Sequence, residues 1–272
     1  MQSMIFAAGL GTRLKPLTDT MPKALVKVGG HPLIEHTINR LKNSGCDRMV
    51  VNVHHFANQI VDYLQEHNFG IDISISDESE KLLDTGGGIK KASPIFDINH
   101  PILIHNVDIL SNVDLKDFYA RAITKEDAEQ MDALLLVSPR KTKRYLIFND
   151  EMRLVGWTNV ESGEVKSPFE EVKCLKFEQP YGEITVNKQH SYQLFAFSGI
   201  HVLNPSVFKT MDECPEKFSI MDFYLKYAKE LQFKGYAKSD LQIMDVGKID
   251  TLKEAEDFLA STNLKSQGLQ ED

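Results

Sequence analysis

The sequence predicts an α/β fold, a parallel sheet with helices on both faces, on two observations. From residue 4 to residue 76, apolar strand-like runs alternate with segments of helical periodicity. A β-α-β-α-β succession closes into a parallel sheet with helices above and below it. The second observation is the loop after the first apolar run, which is glycine-containing and positively charged. Open α/β sheets take their ligands beyond the carboxyl ends of their strands, and this loop sits at such an end.

The elements follow in order. Met4 to Ala8 is a short apolar run that reads as a buried parallel strand. Gly29-Gly30-His31-Pro32 is a turn signal. Leu33, Ile34, Ile38 and Leu41 recur at helical spacing, and Gly45 supplies a stop. Met49 to Val53 is a second strand, Ile60, Val61 and Leu64 mark a second helix, and Ile71 to Ser76 alternates as a third strand. Leu82 to Gly88 is a glycine-rich loop leading into a helix through Lys90 and Lys91, and Pro101 to Asp108 is a fourth strand. Asp114 to Gln130 is a charged helical segment, and Ala133 to Val137 a buried strand. Tyr145 to Phe148 and Arg153 to Trp157 flank Asn149-Asp150-Glu151 as a hairpin. A strand resumes from Leu194 to Leu203, Ser219 is an N-cap candidate, and Thr251 to Ala260 is a closing helix. Residues 1–262 read as one domain and 263–272 as a polar tail.

Composition narrows the function. The 272 residues are 42% hydrophobic and 26% charged, with a net charge of −8, which suits a globular chain and argues against nucleic acid as a partner. No segment approaches the roughly 20 apolar residues of a membrane span. The N-terminus enters the first strand directly, so the expected location is cytoplasmic. Cys46, Cys174 and Cys214 are too far apart for a metal-ligand pattern and read as reduced thiols.

Against this acidic background, Gly9 to Lys27 carries Arg13, Lys15, Lys23 and Lys27 against Asp19, a local balance of +3. Small residues let a ligand approach the backbone, and successive N–H groups form an anion-binding nest, so the loop reads as a phosphate site. Its spacing is neither that of a P-loop nor that of a dinucleotide-binding fingerprint. Gly86, Gly87 and Gly88 read either as a flexible turn or as a second backbone wall at a helix start. Asp84 reads either as a solvated carboxylate or as an acceptor for a ring N–H, which uracil and guanine both offer. The fourth strand ends in Asn106-Val107-Asp108, and a carboxylate there can hold Mg²⁺. His105, inside the apolar run, reads as structural. Pro139 to Arg144 is a basic cluster, either a solvated face or a contact for a phosphorylated sugar. Gly199 within a strand marks either close approach of a ligand or a bulge.

The string Gly9-x-Gly11-Thr12-Arg13-x-x-Pro16-Leu17-Thr18, followed by Pro22-Lys23-x-Leu25, resembles the signature of the sugar-1-phosphate nucleotidylyltransferases. These enzymes make NDP-sugars and pyrophosphate from an NTP and a sugar 1-phosphate. The resemblance extends to Leu83-Asp84-Thr85-Gly86-Gly87-Gly88, to Asn106-x-Asp108, to Phe197-Ser198-Gly199-Ile200 and to Asp245-Val246-Gly247. It implies a Rossmann-like three-layer sandwich with a mixed, mainly parallel central sheet, the nucleotide-diphospho-sugar transferase fold. It also implies that Ala8, Gly9, Gly11 and Thr12 wrap the nucleotide with Asp84, Gly86, Gly87 and Asn106, and that Arg13 and Lys23 neutralise phosphate charge. Asp108 and Asp245 would hold Mg²⁺. Asn159, Ser198 and Gly199 would line the sugar. The second loop and the plain Asp-Val-Gly look most like the N-acetylmuramate-1-phosphate uridylyltransferases of cell-wall recycling, with mannose-1-phosphate guanylyltransferases as the alternative. The implied partners are UTP or GTP and a sugar 1-phosphate, with neither nucleic acid nor membrane, in a monomer or small homo-oligomer. A non-catalytic nucleotide sensor of the same fold is a third reading. The joint presence of Arg13, Lys23, Asp108 and Asp245 argues against it, since loss of activity usually removes charged site residues that cost stability.

Overall fold

The computed structural model describes residues 1–123, 131–176 and 192–261. The strands in chain order are β1 (Gln2–Phe6), β2 (Lys27–Val28), β3 (His31–Pro32), β4 (Arg48–Val53), β5 (Asp72–Asp77), β6 (Ile102–Asn106) and β7 (Ile109–Ser111). They continue with β8 (Ala133–Ser138), β9 (Arg144–Phe148), β10 (Leu154–Asn159), β11 (Glu164–Lys166), β12 (Gln193–Leu203), β13 (Phe233–Ala237) and β14 (Ile243–Asp245). The helices are α1 (Leu33–Asn43), α2 (Ala57–Glu66), α3 (Asp84–Ala92), α4 (Leu115–Ile123), α5 (Glu170–Lys173), α6 (Ser206–Asp212), α7 (Ile220–Tyr227) and α8 (Thr251–Ser261).

The main sheet runs β13-β8-β12-β6-β1-β4-β5. Its pairs are parallel except those of β12, which runs antiparallel to both β6 and β8. The start of β12 leaves this sheet and pairs with β9, from which β10 and β11 extend as an antiparallel hairpin ladder. The expected mixed, mainly parallel sheet is therefore present. Alternation along its strands feeds two cores. Ile5, Met49, Val51 and Leu103 pack with α1, α4 and α8, while Met4, Val50, Ile102 and Ile104 pack with α3, α6 and α7. Successive side chains on a strand face opposite ways, so continuous apolar runs serve both layers. On α1, Leu33, Ile34, Ile38 and Leu41 are all fully buried, each worth about 1.5–3 kcal/mol of transfer free energy. Among the described residues no helix is long and apolar enough to cross a membrane.

One expectation needs correction. The three glycines lie inside α3 rather than in a loop before it. The helix expected over 114–130 is present as α4 over Leu115–Ile123; residues 124–130 lie outside the described part, as do 262–272. The Phe-Glu-Gln-Pro break at 177–180 is also outside it. Strand β13 pairs along all five of its residues with β8, yet Phe233-Lys234-Gly235-Tyr236-Ala237 carries a glycine and a lysine that blur its period. The N-cap expectation holds: Ser219 Oγ accepts from the Met221 N–H at 3.2 Å.

Candidate active site

The loop after β1 folds as three single 3-10 turns, Thr12–Leu14, Leu17–Asp19 and Lys23–Leu25. Leu14 and Thr18 are buried and anchor it. Thr18 Oγ1 donates to the Gly11 carbonyl at 2.8 Å, and the same carbonyl accepts from the Leu14 N–H at 2.8 Å. Gly11 has φ +63°, and a Cβ there would lie 2.9 Å from Thr18 Cγ2 and 3.1 Å from Lys23 Cβ. Glycine is what lets the loop close over Lys23. Ala8 is buried, whereas Gly9, Thr12 and Arg13 face outward, and a Cβ at Gly9 would meet nothing within 4 Å.

Lys23 is nearly buried, and its Nζ pairs with Asp108 Oδ2. Strand β7, which begins just after Asp108, pairs with β14, so that Asp245 faces Ile109 across the ladder. The Val246 N–H donates to the Asp108 carbonyl at 2.9 Å. Two carboxylate-bearing residues 137 positions apart in the chain thus become neighbours at the carboxyl end of the sheet. Arg13 Nη2 stands 3.9 Å from Asp245 Oδ1. A Cβ at Gly247 would sit 2.6 Å from Arg13 Nη2 and 2.7 Å from Asp245 Oδ1, so the glycine of Asp-Val-Gly leaves room for this contact. Lys23 with Asp108 and Arg13 with Asp245 thus form two ion pairs whose carboxylate residues are neighbours.

Asn106, at the end of β6, meets Gly199: a Cβ there would lie 2.8 Å from Asn106 Nδ2. Gly199 has φ +72° and falls where the β12–β8 register shifts between Phe197 and His201. The two sequence alternatives resolve as a bulge with a close approach, and the approaching group is Asn106. His105 is fully buried; its Nδ1 donates to the Asn106 carbonyl at 2.8 Å. Burial, with nearby Arg40, holds its pKa down to about 3, so it stays neutral and offers no base near neutral pH.

The second loop departs from expectation. The Gly86 and Gly87 N–H groups donate to the Phe218 carbonyl at 2.9 and 3.1 Å, so they are committed within the protein. A Cβ at Gly86 would lie 2.3 Å from the Phe218 ring, and one at Gly87 2.3 Å from the Glu216 carbonyl oxygen. These glycines let α3 dock on the segment entering α7, and the expectation that they form an open backbone wall is corrected. Gly87→Ala should accordingly cost about 1–3 kcal/mol, because the clash is with backbone that must move; a thermal melt against the parent chain checks it. Asp84 remains exposed, in the left-handed region at φ +64°, with its Oδ1 accepting from the Thr85 N–H at 2.6 Å. An exposed non-glycine residue held there at a helix start marks a site under constraint.

Two sugar candidates also shift. Asn159 Oδ1 accepts from the Glu161 N–H at 3.0 Å, which commits it to the β10–β11 turn. Ser198 is buried, with its Oγ unpartnered among the described residues. The strand's contribution to the adjoining cavity is Ala196 and Phe197 instead. This cavity, about 410 Å³, lies between the β9–β10 hairpin, the start of β12 and the first turn of α7.

A buried network was missed. Asn52 Oδ1 accepts from the Ala7 N–H at 2.8 Å, and Asn52 Nδ2 donates to Glu78 Oε1 at 2.7 Å. Glu78 Oε2 accepts from the Leu83 N–H at 3.0 Å. The network ties the first loop to the second. Its sequence signal was a polar Asn52 inside the apolar run from Met49 to Val53.

The sequence profile described as "Nucleotidyl transferase" matches residues 2–262. The chain is 31% identical over 242 residues to the N-acetylmuramate alpha-1-phosphate uridylyltransferase of Caulobacter vibrioides, covering 88% of this chain and 89% of that protein. It is 38% identical over 120 residues to a mannose-1-phosphate guanyltransferase of Pichia angusta, covering 43% of this chain and a third (33%) of that one. The fold is similar to that of HddC from Yersinia pseudotuberculosis complexed with GMP-PN, with a TM-score of 0.67 at 19% identity over 95% of this chain and 99% of the other. The match along nearly all of its length shows that the chain belongs to the nucleotidyl transferase family, as a sugar-1-phosphate nucleotidylyltransferase.

Proposed function

We propose that the chain transfers a uridylyl group from UTP to N-acetylmuramate 1-phosphate, and that residues 1–262 do so as one domain. The observation that carries the reading is the gathering of Arg13, Lys23, Asp108 and Asp245 at the carboxyl ends of the central strands. The choice of substrates is supported by the identity to the Caulobacter enzyme over nearly the full length of both chains.

In the reaction an oxygen of the sugar phosphate attacks the α-phosphorus of the NTP. The bond from that phosphorus to the oxygen bridging to the β-phosphate breaks, and pyrophosphate leaves with the electron pair. The nucleophile is already an anion, so no base is required, in keeping with a His105 that stays neutral. The task is to hold two anions together and to offset the charge that builds up, which positioning and preorganised electrostatics supply. Lys23 would move from Asp108 to the α-phosphate or the sugar phosphate, and Arg13 would meet the leaving pyrophosphate. Gly9, Gly11 and Thr12 would present their backbone to the triphosphate beside Ala8, and Asp84 and Asn106 would border the nucleoside.

Asp245 Oδ1 is a buried carboxylate oxygen without a hydrogen-bond partner among the described residues, and the next residue, Val246, is hydrogen-bonded through its N–H to the backbone carbonyl of Asp108. Such a pair of oxygen donors fits Mg²⁺, which takes one or two carboxylates and fills its shell with phosphate and water. Asp108 and Asp245 would hold the ion, whose chemistry is to neutralise and orient phosphate oxygens.

The test is pyrophosphate release with Mg²⁺ over a grid of NTPs against N-acetylmuramate, N-acetylglucosamine, glucose and mannose 1-phosphates. Release with UTP and the muramate sugar is the expected result. GTP with mannose 1-phosphate would replace it with the second reading, which the Pichia similarity supports. Silence across the grid with NTP still bound would favour a nucleotide sensor.

A further inference from the structure

We infer that the cavity beside β12 receives the sugar and that its cations select sugar 1-phosphates bearing a carboxylate, an inference that rests on the function proposed above. Its position comes from both walls. On one side, Phe197 lines it two residues before Gly199, the contact point of Asn106, a step of roughly 7 Å along a strand. On the other side, Ser219 lines it between Phe218 and Ile220. Phe218 accepts the N–H bonds of Gly86 and Gly87, and the Ile220 N–H donates to Thr85 Oγ1 at 2.9 Å. The cavity's walls are therefore continuous with the segments that meet Asn106, at the end of β6, and the start of α3.

Its charge runs against that of the chain. Arg140, Arg144 and Lys166 line it with one carboxylate, Asp222, in a protein of net charge −8. Arg140 Nη2 donates to the Phe197 carbonyl at 3.2 Å, and Tyr145 Oη accepts from the Thr142 N–H at 3.0 Å, so the basic loop is fastened to the cavity wall. Lys166 Nζ lies 5.2 Å from the centroid of the Trp157 ring. It also stands 3.4 Å from Glu164, an exposed pair of small energetic weight. Trp157 and Phe197 give the apolar surface on which a pyranose face and an acyl methyl can lie. The sugar phosphate has cations of its own at Lys23 and Arg13. The cavity's cations are left for a second anionic group, and guanidinium forks match a carboxylate in geometry. N-acetylmuramate carries such a group on its lactyl ether; N-acetylglucosamine and mannose do not.

The experiment compares N-acetylmuramate 1-phosphate with its lactyl carboxamide, an uncharged near-isostere, in the parent chain, Arg144→Gln and Lys166→Gln. The ratio of kcat/KM, acid over amide, is expected to exceed about ten in the parent and to fall by roughly tenfold, toward one, in Arg144→Gln. It should also fall as ionic strength rises. A ratio near one in the parent, or one unchanged in both variants, overturns the inference while turnover itself leaves the proposed function standing. If neither sugar is turned over with any NTP, the proposed function fails. The same ratio is then read from calorimetric Kd values, and acid-selective binding that weakens in Arg144→Gln keeps the subsite. Should Arg144→Gln not fold by circular dichroism, Lys166→Gln and the salt dependence of the parent decide between the same two results.

Discussion

Asp108→Asn is expected to lower kcat for nucleotidyl transfer by at least about 10²–10³-fold while the chain stays folded. Asparagine keeps the volume of the side chain and one acceptor oxygen, so Lys23 retains a hydrogen-bond partner. The negative charge goes, and the carboxylate pair with Asp245 is reduced to a single anion, a poorer donor set for a divalent cation. In the free chain Lys23 becomes a mostly buried ammonium beside a neutral amide. Removing one partner of a fully buried pair costs about 3–5 kcal/mol. Here the side chains keep 11% and 18% of their exposure, so the stability cost should be smaller. Steady-state pyrophosphate release gives kcat, and circular dichroism with a thermal melt reports the fold. A kcat equal to the parent's would remove Asp108 from the reaction, and with it the reading of the charged row. Loss of the fold would instead make the Lys23–Asp108 pair a structural requirement.

How far the sequence is legible depends on whether a residue's partner is local or distant. Strand β1, helix α1 and strands β4 to β6 were read from periodicity within a few residues, because burial on alternating faces writes itself into local pattern. The row Arg13, Lys23, Asp108 and Asp245 was reached only through motif resemblance; nothing local brings positions 108 and 245 together. Gly86 and Gly87 were misread because a glycine needed for helix docking and one needed for ligand access look alike in sequence. Only the Phe218 ring and the Glu216 carbonyl separate the two. Asn159 was readable in principle. Asn159-Val160-Glu161-Ser162-Gly163 has turn composition, and its side-chain oxygen went to the turn. The basic residues at 140 and 144 read either as a solvated face or as a contact, because charge pattern alone does not show that a cavity lies beside them.

Glu78→Gln should lower Tm by several degrees and raise the KM for the NTP more than it lowers kcat. Glu78 is 1% exposed, and each of its carboxylate oxygens accepts one bond, from Asn52 Nδ2 and from the Leu83 N–H. Both partners are donors. Glutamine offers one oxygen and one amino group, so one of the two donors must face another donor. Asn52 cannot flip to relieve this, because its Oδ1 is held by the Ala7 N–H. Leaving a buried donor unsatisfied costs about 1–3 kcal/mol, and for a chain of this size each kcal/mol moves Tm by roughly 2–4 °C. The functional effect follows from what the network joins. Ala7 leads into the phosphate loop and Leu83 into Asp84, so loosening Glu78 lets the two walls of the nucleotide site move relative to each other. Glu78 touches no reacting atom in this scheme. It is a positioning residue, and the split between KM and kcat is the readout that separates positioning from bulk stability. A lower Tm with KM unchanged would make the network a feature of the core alone.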